Sequence, residues 1–515
     1  MKAQDYKISS EKFVFHSTDG NLHDNKLETK PVSYFRDALN RFAKNKASIL
    51  AFVIIMVLVL FAIIGPIVTP YTVSYADTYY RFALPKNPIC VNLGLKFWDG
   101  GQEKEVNKAT YDLYRGIQEE TGRTVIMTEP TIRTEEYMGK TKELYSFRLD
   151  TYNCVGVIYK EISTAEYESI QKYQDENGVQ VIYPITDPTL RPKAEQDQNN
   201  GNIWYKTKLG AGRKTEIVYN KEGDFIPIYK EADGTDGYTS TMYWEGDEKL
   251  YNYAQKMDGD QWKVRVDYRE YYIYSHAMAG DGITEPLFIL GTTDAGQDIF
   301  TCLSSGARFS FILAVIVASV NLFVGAIYGA IEGYYGGKID LIMERIVDLL
   351  ASIPFMIVIT LLKYHFNVSH LIILFISFFL TGWTGMAGRT RMQFYRFKNQ
   401  EYVLVARTLG ARDRRIMFKH IFPNAIGTLI TSSVLIVPSV IFSETSLTYL
   451  GIIDLNTGDL TSVGTLLAKG QNYLFTYPHI ILFPAIFISL LMLSFNLFGN
   501  GLRDAFNPSL RGTEE

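Results

Sequence analysis

The chain has 515 residues, of which 47% are hydrophobic and 21% charged, and its net charge is −4. The charges are unevenly spaced, because five long windows contain no Asp, Glu, Lys or Arg: 47–76, 309–331, 371–388, 420–443 and 470–502. Since crossing a bilayer takes about 20 apolar residues, the sequence excludes a single water-soluble core, and its charge balance disfavours nucleic-acid binding.

Residues 1–46 form a polar tail that ends in the basic residues Arg36, Arg41, Lys44 and Lys46. An apolar run follows, and we expect a first transmembrane helix over residues 47–70. The long polar lead-in and the absence of a small-residue cleavage site argue against a cleaved signal peptide. Basic residues before a span favour the cytoplasmic side, so we predict a cytoplasmic N-terminal tail.

Residues 77–289 contain no apolar run of span length, and they carry 26 Lys+Arg against 35 Asp+Glu. We predict an extracytoplasmic α+β domain here, inserted between helices 1 and 2. Its predicted helices are Lys108–Glu120 and Thr164–Glu176. Its predicted strands are Val179–Ile185, Asn202–Lys208, Thr215–Asn220 and Lys263–Tyr274.

The role of this insertion is open from the sequence. Its many tyrosines suit either the core of an α+β domain or a docking surface for another protein. Cys90 and Cys154 lie in the same predicted compartment, where they either form a disulfide or remain free thiols.

Residues 290–515 form the predicted membrane core. Its five further spans are Phe309–Ile331, Leu341–Leu362, Leu371–Gly388, Ala425–Ser443 and His479–Gly499. The loop at residues 389–424 carries nine Lys+Arg against two acidic residues, which places it in the cytoplasm. The predicted fold is therefore an all-α polytopic protein of the cell membrane, with six transmembrane helices and both termini cytoplasmic.

The loop 389–424 has the pattern of a helical elbow. Residues 400–409 favour a helix, and Gly410 permits a positive φ. A second short helix is expected to run to Phe422, with Pro423 ending it before the next span. By charge alone, a loop that contacts anionic lipid fits equally well.

Motifs that carry catalytic chemistry are missing from the sequence. It has no phosphate-binding G-x-x-x-x-G-K-[ST], HExxH, CxxC or G-x-S-x-G pattern. We therefore predict a protein without enzymatic activity, cofactor or metal of its own, whose energy comes from a gradient or from another subunit.

Residues 401–424 resemble the EAA loop of binding-protein-dependent ABC importers. The details resemble the C-type permeases of the oligopeptide/dipeptide branch, which read E-Y-V-E-A-A-R-A-L-G-A and end in H-I-L-P-N. The positions that match here are Glu401-Tyr402-Val403, Ala406-Arg407, Leu409-Gly410-Ala411, His420-Ile421 and Pro423-Asn424. Leu404 and Val405 depart from this pattern.

Further strings resemble the same family in the same order. They are Gly291–Asp298, Ser305–Ser310, Gly333–Asp340, Arg345–Asp348, Ile353–Phe355, Glu444–Gly451 and Asn496–Pro508. Residues 77–287 have no counterpart in the short loop that the family is expected to have there.

The resemblance implies a type I ABC importer permease. Such a chain pairs with a second, homologous permease as a heterodimer in membrane lipid, binds two ATPase subunits that hold ATP and Mg, and receives peptide from an extracytoplasmic binding protein or lipoprotein. The residues expected in the ATPase-coupling loop are Glu401, Ala406, Arg407, Gly410, Ala411, Arg414, Arg415, His420 and Pro423.

Four further residues are candidates for the translocation path or outer gate. Glu444, expected at the outer end of the fifth span, is interpreted either as path-facing or as a solvated interfacial carboxylate or part of a structural ion pair. Asp294, Asp298 and Arg308 are expected to order the outer entry of the second span, or to contact substrate.

Two alternative functions remain at this stage. One is a membrane receptor or sensor in which residues 77–289 bind a ligand. The other is the same type of transporter with nickel chelates or other small solutes as cargo.

Overall fold

The computed structural model describes residues 34–137, 140–196, 199–211, 215–232, 237–239, 250–455 and 460–506. Most of the predicted cytoplasmic tail, residues 1–33, lies outside the described residues. The described helices are α1 (Tyr34–Lys44), α2 (Lys46–Val68), α3 (Pro88–Asn92), α4 (Lys108–Thr121), α5 (Thr164–Asn177), α6 (Tyr268–Ala279), α7 (Ile299–Tyr335), α8 (Gly337–Ala351), α9 (Phe355–His365), α10 (His370–Thr381), α11 (Thr384–Phe397), α12 (Glu401–Thr408), α13 (Asp413–Arg415), α14 (Phe422–Val434), α15 (Ile436–Tyr449), α16 (Val463–Gln471) and α17 (His479–Phe506).

The described strands all lie between α3 and α6. They are β1 (Gly101–Asn107), β2 (Thr131–Tyr137), β3 (Lys140–Asp150), β4 (Val157–Ser163), β5 (Ile182–Tyr183), β6 (Thr207–Leu209), β7 (Thr215–Ile217), β8 (Tyr238–Thr239), β9 (Ala254–Lys256) and β10 (Gln261–Asp267).

Within the described residues, five helical stretches are long and apolar enough to cross a membrane. They are Lys46–Val68, Ile299–Tyr335, His370–Phe397, Asp413–Tyr449 and His479–Phe506. The chain is therefore a polytopic membrane protein.

The span expected at Leu341–Leu362 is broken in the structure. Helices α8 and α9 meet at a bend of 71°. Pro354 precedes the first residue of α9 in an extended conformation, and because it lacks an N–H it cannot continue the hydrogen-bond ladder of α8. The bent pair makes a sixth crossing only if both halves belong to one span.

A row of glycines brings α7 and α11 into close contact. A Cβ atom at Gly325 would lie 2.7 Å from the Met386 side chain, and one at Gly329 would lie 2.1 Å from the Ala387 carbonyl oxygen. Small residues at four-residue spacing let two helix backbones approach. The pairing fixes α11, which leads into the loop 389–424, against the second span.

The segment between α2 and α7 contains three antiparallel sheets. One has the order β1-β3-β2, the second has the order β4-β10-β9-β8 with β5 beside β10, and the third pairs β6 with β7. Helix α4 lies over β1 and β3, whereas α5 and α6 lie over the second sheet. The predicted helices at Lys108–Glu120 and Thr164–Glu176 are confirmed as α4 and α5.

The predicted strand Lys263–Tyr274 is wrong in its second half, where the chain forms α6. Asp267 ends β10 and caps the helix, because its side chain accepts a hydrogen bond from the Arg269 N–H. Tyr268, Tyr271 and Tyr272 are buried at helical spacing. The other predicted strands are shorter than expected, as β5, β6 and β7.

The segment is joined to the spans along a paired stretch of backbone. The Asp77 N–H donates to Gly296 O at 3.1 Å, Phe82 N–H to Thr293 O at 3.2 Å, and Lys86 N–H to Phe288 O at 3.1 Å. The chain therefore leaves α2 and returns to α7 at one place.

Candidate coupling surface and outer gate

The helical elbow expected in the loop 389–424 is present. Helix α12 ends at Thr408, and Gly410 follows with φ = +79°, in the left-handed region that glycine adopts without strain. A π-helical turn, Ile416–Ile421, connects α13 to α14. We use the term coupling elbow for residues 401–424.

Pro423 does not end a helix, contrary to the prediction. It lies in the first turn of α14, where a missing N–H removes no intrahelical bond. The π-helical turn just before it is the local departure from α geometry. The elbow therefore continues without a break into the span that ends at Tyr449.

The coupling elbow packs against the end of α7. Val403, Ile416 and Ile421 are buried with Phe394 of α11 and with Tyr334. The Tyr334 hydroxyl donates to Asp413 Oδ1 at 2.6 Å. The elbow is thus attached directly to the second span.

The outer face of the elbow is exposed and partly apolar. Leu409 is 82% exposed. Tyr402, Leu404 and Val405 are also exposed, including both residues that depart from the EAA pattern. Exposed apolar groups rimmed by charge are typical of protein interaction sites.

The predicted coupling residues divide by exposure. Exposed are Glu401, Arg407, Gly410, Arg414, Arg415 and Pro423, and partly buried are Ala406, Ala411 and His420. All nine lie within the coupling elbow, spread over α12, α13, the π-helical turn, the first turn of α14 and the turn at Gly410. Their contact with an ATPase stays a prediction.

Arg391 organises an ion cluster that the sequence analysis did not single out. Its guanidinium donates to Asp340 from Nε at 2.7 Å and from Nη2 at 3.0 Å. It also lies 3.1 Å from Glu344 and 3.4 Å from Glu332. The cluster joins α7, α8 and α11 beside the coupling elbow. The sequence feature that could have indicated this cluster is Asp340, which ends the Gly-Gly-Lys-Ile-Asp string.

Glu444 is fully buried rather than at a solvated membrane edge. Its Oε2 accepts a hydrogen bond from Ser310 Oγ of α7 at 2.7 Å. The Thr448 hydroxyl donates to the Glu444 carbonyl oxygen at 3.0 Å and receives a hydrogen bond from Ser462 at 3.2 Å. The carboxyl group therefore links α15 to α7, while the backbone carbonyl of Glu444 is linked through Thr448 to Ser462 at the start of α16. A role of Glu444 in the path stays a prediction.

The other three gate candidates lie at the start of α7 without forming one cluster. Asp298 caps the helix, because Oδ2 accepts from the Thr301 N–H at 2.9 Å. Asp294 lies in the preceding turn, and Arg308 is exposed two and a half turns into the helix. The ordering role expected for Asp298 thus has a structural basis.

Of the two alternatives for Cys90 and Cys154, the structure shows free thiols, and Cys302 is free as well. Cys90 belongs to α3, whereas Cys154 packs against the core of the first sheet with Phe147 and Leu149. Burial raises the pKa of the Cys154 thiol to about 12. Cys154 is therefore a partly buried residue that packs against this core.

Two family models match the chain. Residues 321–512 match the "binding-protein-dependent transport system inner membrane component". Residues 33–86 match the "N-terminal TM domain of oligopeptide transport permease C". The oligopeptide transport permease OppC of Bacillus subtilis is 43% identical over 221 residues, which cover 43% of this chain and 72% of that protein. The chain belongs to the OppC/DppC family of ABC permeases.

Other relatives of this permease agree. The dipeptide permease DppC of Bacillus subtilis is 39% identical over 222 residues, covering 43% of this chain and 68% of that one. OppC of Escherichia coli K12 is 36% identical over 222 residues, covering 43% and 72%. A permease of this family is a non-catalytic subunit of a transporter.

Among solved structures, the inward-facing MetNI methionine ABC transporter aligns with a TM-score of 0.32 and 13% identity, covering 40% of this chain and 96% of that one. Residues 87–320 of the permease lie outside both family models. The family thus accounts for most of the spans but not for the sheets between α2 and α7.

Proposed function

We propose that this permease forms half of the translocation path of an ATP-driven importer of oligopeptides. A second, homologous permease forms the other half, and two ATPase subunits, which hold ATP and Mg, bind the coupling elbow. An extracytoplasmic binding protein delivers the peptide. In this arrangement the chain crosses the membrane six times, both termini are cytoplasmic, and the α+β domain at residues 77–289 is extracytoplasmic.

The observation that carries this proposal is the construction of the coupling elbow. One face of the elbow exposes apolar side chains, of which Leu409 is the most exposed. The opposite, buried face is attached to α7 through the hydrogen bond between Tyr334 and Asp413. An element with this arrangement receives force on one face and passes it to a span through the other.

The test is a charge placed on the exposed face. Leu409→Asp, in the assembled importer, is expected to abolish co-purification of the ATPase subunits and peptide uptake, because a carboxylate opposes burial in an apolar interface. Ile132→Asp is the matched control, since Ile132 is also a large aliphatic residue and is exposed on β2 of the α+β domain. Retention of the ATPases by Leu409→Asp would contradict the proposed coupling surface.

Cargo is tested separately with the unmodified importer. Uptake of labelled oligopeptides, competed by unlabelled peptide, is expected in vesicles supplied with the binding protein and ATP. Uptake of nickel chelates without competition by peptide would contradict the proposed cargo and leave the coupling mechanism standing.

A further inference from the structure

The segment at residues 88–97 projects from the α+β domain as a loop on a fixed base. The Asn87 N–H donates to Trp98 O at 2.8 Å, and the Gly100 N–H donates to Pro85 O at 3.0 Å. Arg148 Nη2 donates to the carbonyl oxygen of Lys96 at 2.7 Å and forms an ion pair with Asp99. The position of the loop is therefore set by the domain beneath it.

The projecting part, which we name the apolar tip, exposes large apolar side chains at nearly every second residue. Ile89 is 67% exposed, Leu93 69% and Phe97 64%, and Val91 and Leu95 are exposed as well. Lys96 is the one charged residue among residues 88–97. Apolar exposure this dense on a fixed base indicates a surface built to be covered.

The apolar tip lies at the level of a membrane-spanning helix end. Trp98, at its base, stacks on Phe483 with ring centroids 5.7 Å apart and an interplanar angle of 13°. Phe483 is four residues into α17, which is about 6 Å along the helix axis. Tryptophan at this depth is typical of the interface between membrane and water.

The residues just before α17, close to the contact between Trp98 and Phe483, are also apolar and exposed. Phe475, four residues before α17 begins, is 98% exposed, and Leu474 is also exposed. Phe82 of the α+β segment stacks on Tyr477 at 4.3 Å. Aromatic and apolar groups from both parts of the chain thus gather where the span meets the domain.

We infer that the apolar tip inserts into the bilayer leaflet on the side of the α+β domain and holds that domain against the membrane. The occupant is lipid, because the surface is continuous with the lipid-facing end of a span through Trp98 and Phe483, and because Lys96 is placed to meet headgroup phosphate. Shallow insertion of apolar side chains with a flanking cation is a known mode of interfacial anchoring. The inference rests on α17 crossing the membrane, and it is independent of cargo and of ATPase binding.

The experiment places an environment-sensitive fluorophore on the apolar tip. Leu93→Cys is prepared in the full chain with Cys90, Cys154 and Cys302 replaced by alanine, labelled, and reconstituted in phosphatidylcholine/phosphatidylglycerol vesicles. Lys172→Cys in the same background is the matched control, because Lys172 is exposed on α5. Quenching is measured with nitroxide-labelled acyl chains and with aqueous iodide.

The expected result is a blue-shifted emission at position 93, severalfold stronger quenching by the lipid nitroxides than at position 172, and severalfold weaker quenching by iodide. Equal quenching profiles at the two positions would overturn the inference. Protection from iodide that appears only after addition of the partner permease or binding protein would also overturn it, by showing that a protein covers the tip. Thermal unfolding followed by tryptophan fluorescence, measured before labelling, monitors the folding of the α+β domain in the shared background, since four of the five tryptophans lie in residues 77–289.

Discussion

Gly410 combines a left-handed backbone with open space around it. Its φ is +79°, and a Cβ atom added there would meet nothing within 4 Å. A side chain at this position therefore meets no steric clash, and only the left-handed backbone conformation opposes it. Valine and asparagine differ in how well they tolerate that conformation, so variants with these two residues test the backbone requirement by itself.

Gly410→Val is expected to abolish peptide uptake while membrane insertion is retained. A β-branched residue in the left-handed region costs about 1–2 kcal/mol, which the short turn between α12 and α13 relieves by changing its angle. Gly410→Asn is the control, because asparagine tolerates this region, and it is expected to retain most uptake. Full uptake by Gly410→Val, at equal membrane abundance, would show that the angle of the elbow is unimportant.

Tyr334 provides a second residue-level prediction. Tyr334→Phe removes the hydrogen bond to Asp413, worth about 1 kcal/mol, while the ring stays in the core of the elbow. We expect less peptide transported per ATP hydrolysed. Tyr335→Phe is the matched control, since Tyr335 is adjacent and exposed. Equal coupling ratios in the two variants would exclude the hydroxyl as a link.

At the scale of single residues, the sequence predicts where the backbone needs a particular conformation better than it predicts which polar side chains are buried. The positive φ of Gly410 follows from residue type and spacing. The burial of Glu444 does not, because it depends on Ser310 and Ser462, which lie 134 residues before it and 18 after it in the chain. Nothing local to Glu444 distinguishes a buried carboxyl from a solvated one.

Among the elements, α6 shows how tertiary contacts decide between strand and helix. Residues 268–274 are rich in tyrosine, which favours strands, yet they form a helix. Asp267 caps α6 and pairs with Arg123, which also lies 3.1 Å from Glu270. Arg123 and the capping residue Asp267 are far apart in the sequence, so the residue pattern around α6 does not reveal their contact.

Asp267→Ala is expected to destabilise the α+β domain by about 3 kcal/mol, because it removes the cap and leaves Arg123 without its closest carboxylate. Thermal unfolding followed by tryptophan fluorescence reports on this, since four of the five tryptophans lie in residues 77–289. Glu119→Ala, which breaks the exposed pair with Arg115, is expected to cost under about 0.5 kcal/mol. A similar melting temperature for both variants would contradict the assigned role of Asp267.

Five of the six predicted spans coincide with long apolar helices among the described residues, and the predicted ends of these spans are less accurate. Helix α7 begins ten residues before the predicted Phe309, because Asp298 caps it there. A span located from its apolar residues leaves out the charged residues that belong to the ends of the same helix. The bend between α8 and α9 was missed because Pro354 lies inside a continuous apolar run.

At the scale of the whole molecule, α7 separates the coupling elbow from the α+β domain. The elbow contacts Tyr334 at the end of α7, whereas the α+β domain pairs with Thr293 just before α7 begins. If α7 crosses the membrane, the elbow and the domain lie on opposite sides, and the bent pair α8–α9 makes one crossing. Leu409 and Lys172 are then expected on opposite sides of the membrane.

With Cys90, Cys154 and Cys302 replaced by alanine, a membrane-impermeant maleimide is expected to label Lys172→Cys and not Leu409→Cys in intact cells. Both positions are exposed, so permeabilised cells are expected to show labelling of both and serve as the control. Labelling of Leu409→Cys in intact cells would refute the six-span arrangement and with it the access of cytoplasmic ATPases to the elbow.

The chain closes on itself where the α+β domain begins and ends. Because Lys86 and Phe288 share a backbone hydrogen bond, we expect that a short turn in place of residues 87–287 would keep α2 and α7 at their present separation. A module of another size inserted between these two positions is then expected to leave the register of the spans unchanged. The same pair of positions is a grafting point at which a reporter domain joins the permease without interrupting a helix.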